Sequence, residues 1–182
     1  MSEPASLYAR LTFGADDYPA YLASTPAAPA AFDDWVAWLT HHSMAGGAAA
    51  IAGALQNPSP LATTVGAVFD QWRSARWMGA DITTQAATGC CRVVLLEATE
   101  NYGELANLLA PLRGAAAWTQ PDADDFILVT DFLWDAEAPP MACLALHAGA
   151  SRFVDAVPPA WRDEAFAAFE QRLGALAPPE GN

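Results

Sequence analysis

The sequence predicts an α+β fold: a single domain over residues 1–182, with a mixed or mainly antiparallel sheet of about four to five strands and helices packed on it. Three observations lead there. The 182 residues are 53% hydrophobic and only 16% charged, which suits one large core, and no shift of composition marks a second one. Strand-like apolar runs and stretches of helical periodicity both occur, in the order β-α-α-β-α-β-β-β-α. Polar turns, one of them rich in Pro, separate the later strands, and such turns suit antiparallel neighbours better than long crossovers.

Each element has its own signal. Residues 7–13 alternate, with Leu7, Ala9, Leu11 and Phe13 on one side and Tyr8, Arg10 and Thr12 on the other, as in a half-buried strand that Gly14 ends. Residues 15–31 read as a Pro- and Ala-rich connection with room for a short helix near 18–24. A helix is expected over 30–42. Phe32, Trp35, Val36 and Leu39 recur at helical spacing, and Asp33 and Asp34 occupy the first turn, where the helix dipole favours them. The Gly/Ala run over 44–56 either extends that helix or forms a second short one, and its small residues suit close backbone approach. Ser59-Pro60 reads as an N-cap followed by proline, opening a helix over 60–78 with Leu61, Val65, Val68, Phe69 and Trp72 as its stripe and Gly79 as its stop.

Residues 90–98 are β-branched and almost continuously apolar, the pattern of a strand buried on both faces. Asn101 and Glu104 resemble a capping box for a helix over 102–112, with Leu105, Leu108, Leu109 and Leu112 inward. Residues 115–119, 126–134 and 141–148 are further strand candidates, the second being the strongest in the chain. A last helix over 159–176 presents Trp161, Phe166, Phe169 and Leu173, and residues 177–182 form a loose tail.

Charge narrows the range of functions. There are 21 acidic residues against eight basic ones, every one of them Arg, for a formal charge of −13. Such a field repels nucleic-acid phosphates and anionic lipid and attracts a basic partner. With no leader-like segment at the start, a cytoplasmic chain with reduced thiols is expected. Cys90, Cys91 and Cys143 are odd in number and two are adjacent, a poor disulfide framework; strand alternation sends Cys90 and Cys91 to opposite faces, so buried inert thiols are expected.

Chemical motifs are sparse. His41 and His42 are neighbours, about 100° apart on a helix, and lack the i, i+4 spacing of a zinc pair; they read as a helix end. The Gly/Ala run cannot be a phosphate loop, because the chain has no Lys to meet the phosphate. Asp122, Asp124 and Asp125 look like the start of a calcium loop but lack its Gly and closing Glu, so turn chemistry explains them. Asp131 interrupts an apolar strand and would need an Arg partner if it faced inward. No catalytic constellation, metal ligand set or cofactor motif emerges.

Seven Trp are too many to bury fully with every indole N–H satisfied, so some are expected at the surface beside acidic loops. The expected partner surface is Asp122, Asp124, Asp125, Trp134, Asp135 and Glu137, with Trp38 and Trp77 next. In bulk profile, though not residue by residue, the chain resembles bacterial immunity proteins, which neutralise a toxin made alongside them. That resemblance implies a non-catalytic protein that binds a basic partner and needs no cofactor, nucleic acid or membrane. Two alternatives are a small hydrolase-like enzyme using His41, His42 or His147 with an Asp or Cys, and a pocket for an apolar ligand built on the Ala/Gly helices and aromatics.

Overall fold

In a computed structural model, which describes residues 4–41, 47–56, 62–131 and 139–177, the apolar runs assemble into one six-stranded sheet. The strands are β1 (Ala5–Thr12), β2 (Asp81–Gln85), β3 (Cys90–Thr99), β4 (Asp125–Asp131), β5 (Ala142–His147) and β6 (Ala150–Phe153). The helices are α1 (Asp17–Ala23), α2 (Trp35–His41), α3 (Gly47–Gln56), α4 (Val65–Ser74), α5 (Tyr102–Gly114) and α6 (Pro159–Leu176). Strand order is β2-β3-β1-β4-β5-β6, and every neighbouring pair is antiparallel. The expected α+β class holds, with a sheet larger than expected and antiparallel throughout.

The sheet is covered on both faces. Tyr21, Trp35, Ile51, Phe69 and Leu109, one from each of α1 to α5, share a core with Leu7, Leu11, Val93 and Ile127. On the opposite face α6 lays Trp161, Ala165 and Phe169 over Tyr8, Leu96, Phe126 and Leu128. Burying Phe169 alone contributes about 1.5–3 kcal/mol. This second layer corrects the reading of β1 as half-buried: Ser6 and Tyr8, on the side that alternation marks as outward, are fully buried. The covering helix lies some 150 residues away in sequence, beyond the reach of local periodicity.

Polar bonds at the rim fix α6 in place. The Tyr8 hydroxyl donates to Glu164 at 2.5 Å, Arg10 bridges Glu164 and Asp124, and the Trp161 indole N–H donates to Asp124 at 2.8 Å. Trp161 stacks on Phe126 with ring centroids 4.7 Å apart. On the other face a buried arginine, Arg113, ties α5 to the start of α2 and to β6 through Asp34 and Ser151.

Several boundaries differ from expectation for identifiable reasons. β2 offers only Ile82 to the core, and β6 is four residues long, so neither carries a strong apolar run. The β5–β6 turn has both Ala148 (φ 49°) and Gly149 (φ 80°) in the left-handed region, a type I′ geometry that normally announces itself with Asn-Gly or Asp-Gly. Residues 115–117 form a 3-10 turn, and Thr119 makes a single bridge to Phe13 instead of a strand. The helix expected over 30–42 is a 3-10 turn at Pro29–Ala31 followed by α2, with Val36 69% exposed. The start of α4 is set by Thr64, whose hydroxyl accepts the Ala67 N–H; Ser59, Pro60 and Leu61 lie outside the described residues. α6 runs over 159–176 as expected, but Leu173 faces solvent.

Only part of the Gly/Ala run packs as its composition suggests: Ile51 and Ala54 are buried, but Ala48, Ala49, Ala52 and Gly53 are exposed, and a Cβ on Gly53 would meet nothing within 4 Å. α3 lies against α5 so closely that a Cβ on Gly103 would stand 3.0 Å from the Ala50 carbonyl oxygen. Gly89, at the β2–β3 turn, has φ +67°, and a Cβ there would collide with the Phe13 carbonyl.

Candidate functional site

A fault in β3 shapes the surface at one end of the sheet. Ala5 pairs with Thr99 but Leu7 pairs with Leu95, so two steps along β1 match four along β3. The Ser6 hydroxyl fills the bulge by donating to the Leu96 carbonyl. Alternation breaks there: Leu96 joins the α6 side of the core and Ala98 the helical side, although they are two residues apart. Glu97 between them is turned out to solvent.

The same end carries an exposed aromatic. Trp77 sits on the 3-10 turn Arg76–Met78 between α4 and β2. Met78 is buried and Gly79 closes the turn with φ +55°, its backbone against Leu96. The Arg172 Nε donates to the Gly79 carbonyl at 3.1 Å, anchoring the turn to α6. Thus fixed on both sides, Trp77 is left 62% exposed.

Two clefts meet at Trp77. An apolar one of 370 Å³ lies between α4 and α5, walled by Trp72, Ala75, Met78, Ala98 and Leu108. A polar one of 460 Å³ is lined by Pro4, Glu97, Thr99, Glu100 and Asn101. Trp77 and Glu104 border both, so the two clefts adjoin. A third, of 260 Å³, adds Asp131, Tyr102 and Met141 on the far side of Thr99.

Capping fixes the orientation of Glu104. Asn101 Oδ1 accepts the Gly103 and Glu104 N–H groups at 2.7 and 3.3 Å. The return bond of the expected capping box is relayed: the Thr99 hydroxyl donates to Glu104 Oε2 at 2.7 Å and accepts the Asn101 N–H at 3.0 Å.

Charge is unevenly compensated. Arg10, Arg73, Arg92, Arg113 and Arg152 all lie within salt-bridge distance of Asp or Glu elsewhere in the fold. Among the described residues no arginine lies at that distance from Glu97, Glu104 or Asp131. Arg76 is exposed on the Trp77 turn without an ion pair among those residues. This end of the molecule therefore has an aromatic ridge, an apolar trough and a surplus of negative charge.

The residues singled out from sequence are dispersed. Asp122 is exposed in the turn before β4. Asp124 holds Arg10 and Trp161, and Asp125 is buried with both oxygens engaged, on the Thr12 N–H and the Thr12 hydroxyl, each at 2.8 Å. These two are fastenings between β1, β4 and α6. Trp38 is buried, its indole N–H 3.2 Å from the Met141 carbonyl and its ring stacked on Phe153 at 4.8 Å, so it offers no exposed anchor. Trp134, Asp135 and Glu137 lie outside the described residues. Trp77 is exposed and stands at the clefts. Glu104 enters the sequence reading as a capping residue and Asp131 as a charge in an apolar strand, which the structure leaves exposed; Glu97 does not enter it, although a carboxylate inside an apolar strand marks a break in alternation.

Among the described residues, His147 and the three cysteines are not brought together with one another. His41 ends α2, His42 lies outside the described residues, and His147 is exposed at the end of β5. Cys91 faces Tyr18 on the helical side, while Cys143 belongs to the core under α6. Burial pushes the Cys91 thiol up to about 11 and the Cys143 thiol up to about 12, the reverse of nucleophile activation. Among the described residues no cluster of three His, Cys, Asp or Glu side chains could hold a metal ion, and no helix is long and apolar enough to cross a membrane. No family model matches the chain, and no curated protein or solved structure shows significant similarity to it.

Proposed function

We propose that the protein is a non-catalytic binding module for a basic protein partner, acting as an immunity or inhibitor protein does. The observation that carries this reading is Trp77, 62% exposed at the junction of two clefts and flanked by Glu97 and Glu104. An exposed indole beside uncompensated carboxylates suits a cationic protein surface, because aromatics anchor interfaces and negative potential steers basic partners. Five arginines are engaged with carboxylates elsewhere, so the acidic residues at this end keep their charge within a chain of net charge −13.

The test uses the intact protein as bait in an extract of its source cells, beside a Trp77→Ala/Glu97→Gln variant. The expected result is a basic protein retained by the wild type, lost with the variant, and bound more weakly as salt rises from about 50 to about 300 mM. Equal retention by both baits, or an affinity flat across that range, overturns the reading.

A further inference from the structure

We infer that the partner presents an extended segment in which one large apolar side chain enters the α4–α5 groove and a neighbouring basic side chain crosses Trp77 to meet Glu97 and Glu104. The inference rests on the basic-partner reading and names what that partner brings. Its ground is that two chemically unlike clefts adjoin at Trp77 and Glu104. The groove of 370 Å³ is mostly apolar, walled by Trp72, Ala75, Met78, Ala98 and Leu108 with Gln71 and Asn107 also in its lining, room for an aliphatic or aromatic side chain. Beyond Trp77 the lining becomes acidic.

The carboxylates are presented for this. Glu104 receives the Thr99 hydroxyl on Oε2, which fixes its direction and leaves its other oxygen for a second donor. The bulge aims Glu97 outward, and no arginine neutralises it among the described residues. A guanidinium or ammonium between them can lie on the exposed face of Trp77, where the ring quadrupole adds to the attraction. The α5 N–H groups nearest this point are capped by Asn101 and so do not call for an anion. A second copy of this chain is the wrong occupant, because two molecules of charge −13 would meet acidic side to acidic side. An apolar small molecule would use the trough and leave the acidic cleft idle.

The experiment is NMR titration of the full-length protein with four blocked Gly/Ser nonapeptides: one bearing Arg and Leu, one Arg alone, one Leu alone, and one Glu and Leu. The readout is the indole N–H signal of Trp77, assigned from Trp77→Phe, with the amides of Glu97, Ala98 and Leu108. The Arg–Leu peptide is expected to bind at least about tenfold more tightly than the others and to shift those signals. Leu108→Glu should reduce it to the level of Arg alone, and Glu97→Arg, on the exposed bulge, to the level of Leu alone. If the Arg peptide binds as tightly as the Arg–Leu peptide, or the shifts fall elsewhere, the two-part groove is wrong and the basic-partner reading survives. Equal binding of the Leu or Glu–Leu peptide makes the groove an apolar-ligand site instead. If no cationic peptide binds up to about 5 mM, both readings fall.

Discussion

Arg113 and Asp34, 79 residues apart in sequence, meet in the core with Nη2 at 2.7 and 2.9 Å from the two carboxylate oxygens. The guanidinium lies against the rings of Phe32, Trp35 and Phe153 at 4.1, 4.6 and 4.9 Å, and its Nε donates to the Ser151 hydroxyl at 2.8 Å. The arginine side chain is 0% exposed and the aspartate 18%, so solvent screens the pair little. Removing one partner strands the other charge in the core. Asp34→Ala should therefore cost about 3–5 kcal/mol, read from urea unfolding. Arg113→Met combined with Asp34→Ala should cost clearly less than the sum of the two single changes, because no charge is left alone. Additive costs would show that the pair is not coupled.

Asp125 gives a pH dependence of defined sign. Burial raises its pKa, partly offset by the Thr12 N–H and hydroxyl. The folded protein thus holds this proton more tightly than the unfolded chain, whose carboxylate titrates near about 3.9. Ionised Asp125 opposes folding above its raised pKa, and the penalty disappears as pH falls through that value towards the unfolded one. The wild type should therefore gain stability relative to Asp125→Asn between about pH 7 and about pH 4. Paired urea unfolding curves at the two pH values measure the difference; a change in favour of the variant on acidification contradicts the assignment.

The thiols should be silent in the folded state. With Cys91 near 11 and Cys143 near 12, thiolate is scarce at pH 8, on the order of one molecule in a thousand or fewer. Ellman's reagent at that pH should react slowly with the native protein and rapidly with all three thiols in urea. A Cys91 or Cys143 that reacts in the folded protein at the rate of free cysteine would revive the nucleophile reading.

What the sequence reveals follows the range of the interactions involved. The periodicity of Trp161 and Phe169, the continuous apolar run of β3 and the Asn101–Glu104 cap are local patterns, and each reads correctly. The burial of Tyr8 depends on a helix at the far end of the chain, and the pairing of Arg113 with Asp34 on a tertiary fold. Acidic turn residues look alike from sequence whether they fasten the fold, as Asp124 and Asp125 do, or face solvent, as Asp122 does. Trp38 and Trp77 were similarly indistinguishable: one closes over Phe153, while the other rides a turn whose next residue, Met78, takes the buried position.

That difference makes Trp77→Ala the most informative single change. Its ring is 62% exposed, so stability should move by no more than about 0.5 kcal/mol. Trp35, Trp38, Trp72 and Trp161 are all buried, so Trp77→Phe should remove the most acrylamide-quenchable emission among these five indoles. Binding should behave differently from stability. An aromatic anchor at a desolvating cleft typically costs 2 kcal/mol or more when truncated, about thirtyfold in affinity. If the indole and the bulged carboxylate grip the same cation, Trp77→Ala and Glu97→Gln will not be additive: the second change will cost less once the first is made. Additive losses would place the two residues against separate parts of the partner, and a stability loss as large as the binding loss would make Trp77 a structural residue.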